Sequence, residues 1–316
     1  MKFIVVGTIA FFLVCKISAQ DIVVNTLRTE TSRSIKKDKD TIPWRIKHGG
    51  LLSFNVSQGS LSNWAAGGDN FSLTVGSYFN YFRFYKDSNK FWDNNLDVNL
   101  AYLQSTSLGS RKNDDRIDFI SKYGYRLDTV GKLFISALFN FRSQFFDGYT
   151  YPGSTPVFAS SVLSPAYLTL SAGIDYKPND KFSAFLSPLT SRLTVVTNNK
   201  LSAEGAYGVD TGKHSINAIG AFATFTYNNI FNKIFNYKGR LDLFSNYQNN
   251  PQNVDIYMTN ILAVKINKYF AATYSLDLIY DDDVRIFGPN GKSPGLQTKS
   301  QIGLSFMKPL NVVRIK

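Results

Sequence analysis

Few residues in this 316-residue chain are of a kind that does chemistry near neutral pH. His48 and His214 are its two histidines and hence its near-neutral proton shuttles, and Cys15 is its single cysteine. His214 precedes Ser215, the residue types of a hydrolase's base and nucleophile. Neighbours on a strand point to opposite faces, so this pair cannot share the hydrogen bond that such catalysis needs. Asp281, Asp282 and Asp283 offer hard oxygen ligands to a divalent cation, but no glycine-punctuated calcium loop surrounds them. They read as charged surface. Asp114 and Asp115, flanked by Arg111, Lys112 and Arg116, read as an ionic cluster that compensates itself. No catalytic, cofactor-binding or metal-binding residue is assigned, and the chain is expected not to be an enzyme.

The elements that would position these residues are strands. Over 92–102 the even positions Trp92, Leu96, Val98, Leu100 and Tyr102 are apolar, with Asn94 the exception, and the odd ones include Asp93, Asn95, Asp97 and Asn99. Over 116–127 one face carries Ile117, Phe119, Tyr123, Tyr125 and Leu127, the other Arg116, Asp118, Lys122 and Arg126. Ile135, Phe139 and Leu276 continue the apolar face in later segments; Asn140 and Arg142 continue the polar one. Period two with one apolar face is the code of a membrane β-barrel. A soluble sandwich shares the period, but its strands average only about five or six residues.

Strands are expected at 50–57, 70–86, 90–104, 114–127, 132–146, 165–177, 182–196, 214–229, 236–247, 254–266, 270–280 and 295–307. Tight connections alternate with mostly longer ones, 105–113 counted among the long. This predicts an all-β, antiparallel, outer-membrane β-barrel of about twelve strands with both termini in the periplasm. Pro188 removes a ladder donor inside its strand, which suggests a bulge or a miscounted edge there.

Residues 1–19 read as a signal peptide: a charged start at Lys2, an apolar run, and a small-residue site at Ala19. Residues 20–48 form a basic periplasmic segment containing Arg28, Arg33, Lys36, Lys37 and Lys39, and 49–316 the barrel. Cleavage would remove Cys15 and with it any disulfide or thiolate chemistry. The 26 phenylalanines and 18 tyrosines suit aromatic girdles, and a mean hydropathy of −0.14 suits a single apolar face. The formal charge of +12 falls to +10 without Lys2 and Lys16. In an exported protein that excess points to phosphate-rich lipid or an acidic protein partner, not to nucleic acid.

After the first strand comes Asn63, Trp64, Gly67, Gly68 and Asn70, in the order Asn-Trp-x-x-Gly-Gly-x-Asn. The glycines permit a loop folded against the wall, with Trp64 as wedge. Together with Arg111, Lys112, Asp115 and Arg116 in the order Arg-Lys-x-x-Asp-Arg, it resembles a Bacteroidota outer-membrane family catalogued as a domain of unknown function (DUF3078). The resemblance runs from about Trp44 to the C-terminus. It implies an outer-membrane barrel and brings no known catalytic residue or ligand.

Inward candidates carry mixed charge. Asp93, Asp97, Asp118, Lys122, Arg126 and Arg142 are expected to form a charge network in the lumen. A selective channel gathers one sign of charge at its constriction, whereas mixed signs suit a filled interior. The expected function is a non-enzymatic barrel, a structural or docking subunit of a larger outer-membrane complex. A small-solute or anion channel is the alternative, and a lipid- or lipopolysaccharide-modifying enzyme ranks third. Expected partners are outer-membrane lipids, lipopolysaccharide, and other outer-membrane or periplasmic proteins.

Overall fold

The computed structural model describes residues 44–60, 71–150, 155–179, 181–231, 234–267, 270–280 and 293–315. The expected signal peptide, most of the basic segment, the Asn63, Trp64, Gly67, Gly68 and Asn70 motif, and the triplet beginning at Asp281 lie outside them.

The described residues are largely antiparallel β-structure. Its strands are β1 Ile46–Ser60, β2 Phe71–Asp87, β3 Lys90–Ser105, β4 Gly109–Arg126, β5 Leu133–Ser143, β6 Gly148–Thr150 and β7 Val157–Ser160. They continue as β8 Ala166–Tyr176, β9 Phe182–Val195, β10 Ser215–Phe231, β11 Phe235–Asn246, β12 Val254–Lys265, β13 Phe270–Tyr280 and β14 Gln297–Ile315. Each pairs with its neighbour in sequence, except that β5 passes to β8 while β6 and β7 form a separate hairpin. β1 then pairs with β14, Ile46 opposite Ile315, and the sheet closes into a ring. Among the described residues no helix is long and apolar enough to cross a membrane.

Alternation decides which side chains go inside. In β4 and β5 the even positions Arg116, Asp118, Ile120, Lys122, Phe134, Leu138, Asn140 and Arg142 are buried, while Tyr123, Tyr125, Ile135 and Phe139 are exposed. Burial thus alternates at every second residue, with the charged side chains inward and Ile120, Phe134 and Leu138 among them. Gly124 is required by the packing: a Cβ there would stand 2.1 Å from the ring of Phe91, its register partner on the adjacent strand β3.

Around the ring the register shifts at three places among the described residues, one of them between His48 and Gly50 where β1 meets β14. In β9 the pairing skips a residue against both neighbours, between Ala172 and Ile174 on one side and Gly220 and Phe222 on the other. Pro188 sits in this bulge, where its missing N–H is harmless. The inward set changes there from Phe185 and Ser187 to Thr190 and Thr194. In β4 a second bulge between Asp114 and Lys112 leaves Asn113 unpaired.

The expected long connection at 105–113 is instead a tight one over 106–108. Gly109 takes φ of 64° at its exit, so the chain reverses within three residues. At the opposite rim the turn after β4 is held by Asp128, whose carboxylate accepts from the amides of Lys132 and Leu133 at 3.0 Å. The Leu133 amide holds that carboxyl below the usual carboxylate range. β1 begins and β14 ends at this same short-turn rim.

The far rim carries extra structure that strand periodicity does not reveal. The β6 and β7 hairpin meets a short helix, α1 Asn199–Ala203, capped by the Asn198 side chain accepting from the amides of Lys200 and Leu201. Val196, Leu201 and Val209 form a small apolar core there with Phe158 and Tyr207 packed against it. Tyr207 donates to the Ala159 carbonyl at 2.5 Å, and burial pushes its phenol above the ordinary tyrosine range.

Candidate functional site: the inner wall and its charge network

The inward carboxylates of β3 and β4 sit side by side. Asp97 faces Asp118 across the strand pair, and each is only 2% exposed. Like charges directly opposite are unfavourable, so each needs its own donors. Asp97 receives them from neutral groups: Tyr78, Asn80 at 3.0 Å and Asn95 at 2.5 Å. Asp118 accepts from Asn140 Nδ2 at 2.6 Å and pairs with Arg142 Nε at 3.4 Å. Asp93 is buried opposite Lys122 in the register.

Lys122 reaches further around the ring. Its Nζ lies 2.6 Å from Asp175 Oδ2 on β8, and Lys177 Nζ lies 3.1 Å from the same oxygen. The two ammonium groups also stand against aromatic faces, Lys177 4.0 Å from the Phe91 centroid and Lys122 5.8 Å from that of Phe185. Beyond them Ile120, Leu138, Phe185, Phe222 and Phe244 form one apolar cluster on the inner wall. Arg240 and Asp242 pair at 2.6 Å, with Thr224 accepting from the same Arg240 nitrogen. Ion pairs and aromatics therefore interleave along the interior, with Lys122, Lys177, Arg142 and Arg240 each paired to an inward carboxylate and Asp97 held by neutral donors.

Arg126 stands apart from this network, contrary to the sequence expectation. It ends β4 at the short-turn rim, and its Nη2 donates to Asn89 Oδ1 at 2.5 Å. The tight turn before β3 offers that acceptor before any inner carboxylate comes within reach. Asp175 and Lys177 belong to the network although the expected set did not include them. Asp175 is buried on the inner side of β8, and its pairing with Lys122 across β5 depends on the strand order β4, β5, β8.

The Arg-Lys-x-x-Asp-Arg segment divides between the two faces. Asp114 and Arg116 are buried inward, Asp114 accepting from Asn99 Nδ2 at 2.6 Å. Asn113, unpaired in the bulge, lets Lys112 turn towards Asp115, and their charged atoms meet at 3.1 Å. Asp115 also accepts from the amides of Phe145 and Phe146, at 3.0 and 2.7 Å, while Lys112 donates to the Phe146 carbonyl at 2.6 Å. This pair clasps the start of the β5 to β8 connection. Asp115→Ala is expected to speed protease cleavage within 144–165 by about tenfold or more, because charged hydrogen bonds each contribute ~1.5–3 kcal/mol. Unchanged cleavage kinetics would show that the clasp is dispensable.

His214 lies at the far rim, exposed, its Nδ1 2.8 Å from the Val196 carbonyl, and Ser215 begins the next strand. His48 is on β1, its ring 6.1 Å from that of Tyr81. Among the described residues no group of three His, Cys, Asp or Glu side chains is placed to hold a metal ion.

The chain is similar in fold to an outer membrane channel from Pseudomonas putida F1, at 10% identity over 86% of this chain and 98% of that one, with a TM-score of 0.42. It is similar also to the translocator domain of the autotransporter NalP from Neisseria meningitidis, at 9% identity over 90% and 95%, with a TM-score of 0.41. No curated protein matches. Residues 56–149, which carry both motifs and the β3 and β4 wall, match the model of a family described as "Protein of unknown function (DUF3078)".

Proposed function

We propose that this chain is an integral outer-membrane barrel whose interior is filled by its own side chains. It works through its rims, as a structural or docking subunit of a larger assembly, and not as an enzyme. The reading rests on one observation: a set of inward polar side chains on β3, β4, β5, β8 and β11 is almost wholly buried. Asp97, Asp118, Asn140, Asp175 and Asp242 are each at most 2% exposed, and Phe185, opposite Asp175 on β9, is buried as deeply. The wall of a wide aqueous pore would be wet. Exposed aromatic and aliphatic side chains on the outer face, together with closure that leaves no sheet edge, suit a bilayer. The short turns suit the periplasmic side, with both chain ends there. A protein partner would meet the far rim, where Phe145, Phe146 and Tyr149 are exposed.

Purified protein in planar bilayers is expected to give little or no conductance. Large, stable single-channel steps from the unmodified barrel would sink the scaffold reading.

A small-solute or anion channel is the second reading, favoured by two details. Arg116 is buried, yet its Nε and Nη1 have no hydrogen-bond partner among the described residues. Arg192 and Asp255, 3.9 Å apart, keep 29% and 14% of their side chains exposed, which is where a narrow path would run.

A further inference from the structure

A row of polar residues crosses four adjacent strands on the outer face, near the short-turn rim. The register sets His48 of β1 opposite Arg83 of β2, Arg83 opposite Asn94 of β3, and Asn94 opposite Ser121 of β4. The next outward row towards the rim is Ile46, Tyr85, Trp92 and Tyr123, and the next one away from it includes Tyr81, Leu96 and Phe119. Between these apolar rows opens a groove of about 580 Å³, lined among others by Arg83, Tyr85, Trp92, Asn94 and Leu96. Trp92 is held as one wall by donating Nε1–H to Ser121 Oγ at 2.7 Å.

Arg83 is exposed, and its guanidinium has no partner among the described residues. The neighbouring Arg45 differs, being paired with Asp87 at 3.4 Å and bonded to Tyr85. Arg83 lies four residues before the end of β2, about 10 Å of height at a strand tilt near 40°. That is interfacial depth, where an outward charge costs roughly 0–1 kcal/mol and where lipid phosphates lie. A planar guanidinium matches phosphate oxygens in bidentate fashion, and aromatic rings that are apolar at one end and polar at the other sit at headgroup level.

We propose that this groove binds an anionic diacyl phospholipid of the leaflet at the short-turn rim. Arg83 holds the phosphate, with His48 and Asn94 beside it, and an acyl chain lies over Leu96 and Phe119. The site rests on the outer-membrane reading above, since it needs the outer face to meet lipid.

The test reconstitutes the mature chain into vesicles containing both phosphatidylethanolamine and phosphatidylglycerol. Complexes released in mild detergent are then read by intact-mass measurement. The wild type is expected to retain one phosphatidylglycerol in preference to phosphatidylethanolamine by about tenfold, the worth of one charge-assisted contact. Arg83→Gln should lose that preference, and Lys86→Gln, an exposed charge at the same rim, should keep it. Equal loss in both variants, or no preference in a wild-type barrel that has inserted and folded, overturns the site. Displacement of the phosphatidylglycerol by lipopolysaccharide overturns it too, because the site would then serve the opposite leaflet. Failure of the wild type to insert at all would overturn the membrane reading, and this site with it.

Discussion

Asp175→Asn is expected to destabilise the barrel by about 3–5 kcal/mol, the cost of breaking a buried ion pair from one side. Asp175 is wholly buried and is the common counter-charge of Lys122 and Lys177. Neutralising it leaves two largely buried ammonium groups without their shared counter-charge, with Asp93 opposite Lys122 and the aromatic faces as partial compensation. The second variant, Asp175→Asn with Lys122→Met, should recover much of the loss, because replacing both partners of a buried pair is far less costly than removing one. Urea unfolding of the lipid-refolded protein measures both. A single variant within about 0.5 kcal/mol of the wild type would mean that the pair is solvated and that the interior is wetter than its burial suggests.

Leu170→Arg is expected to cost about 2–4 kcal/mol, while Ile135→Arg costs only ~0–1 kcal/mol. Both side chains point outward, 60% and 54% exposed, so burial within the protein cannot distinguish them. Depth can. Leu170 sits mid-strand in β8, opposite Phe139, whereas Ile135 is the third residue of β5, next to the short-turn rim. In hydrocarbon the mid-strand arginine has no water within reach, and the rim arginine extends to the interface. The same unfolding measurement in lipid and in detergent separates the two positions. Equal costs in both media would argue that the outer face does not meet a bilayer.

The antiparallel strand order was legible because a single-face apolar pattern survives in local sequence. Asp97, Asp118 and Arg142 could be assigned to one face from parity alone. What parity could not supply was anything that depends on register around the ring. Lys122 meets Asp175 from four strands' worth of chain away, and Arg126 leaves the network for a nearby turn acceptor. Bulges are similarly hidden. Pro188 announced one through its missing donor, whereas the bulge at Asn113, with no such marker, sends Lys112 and Asp115 to the loop clasp. The β6 and β7 hairpin is too short to show a period, and the Asn198 cap serves a helix of five residues. The row from His48 to Ser121 is invisible in sequence because its four members come from four strands.

The junction of β1 with β14 differs from every other pairing in how far apart its partners lie along the chain. Hairpins such as β2 with β3 close over two residues, Ser88 and Asn89, and can form as soon as their strands exist. Joining Ile46 to Ile315 closes a loop of about 270 residues, which costs ~4 kcal/mol more in chain entropy than a two-residue turn. Chain entropy therefore favours the local hairpins ahead of the seam. Until then β1 and β14 are two bare edges, each a template for any other strand that arrives first. The step most open to error is then the meeting of β1 with β14, and the residues of β14 that face β1 decide whether a sheet becomes a barrel.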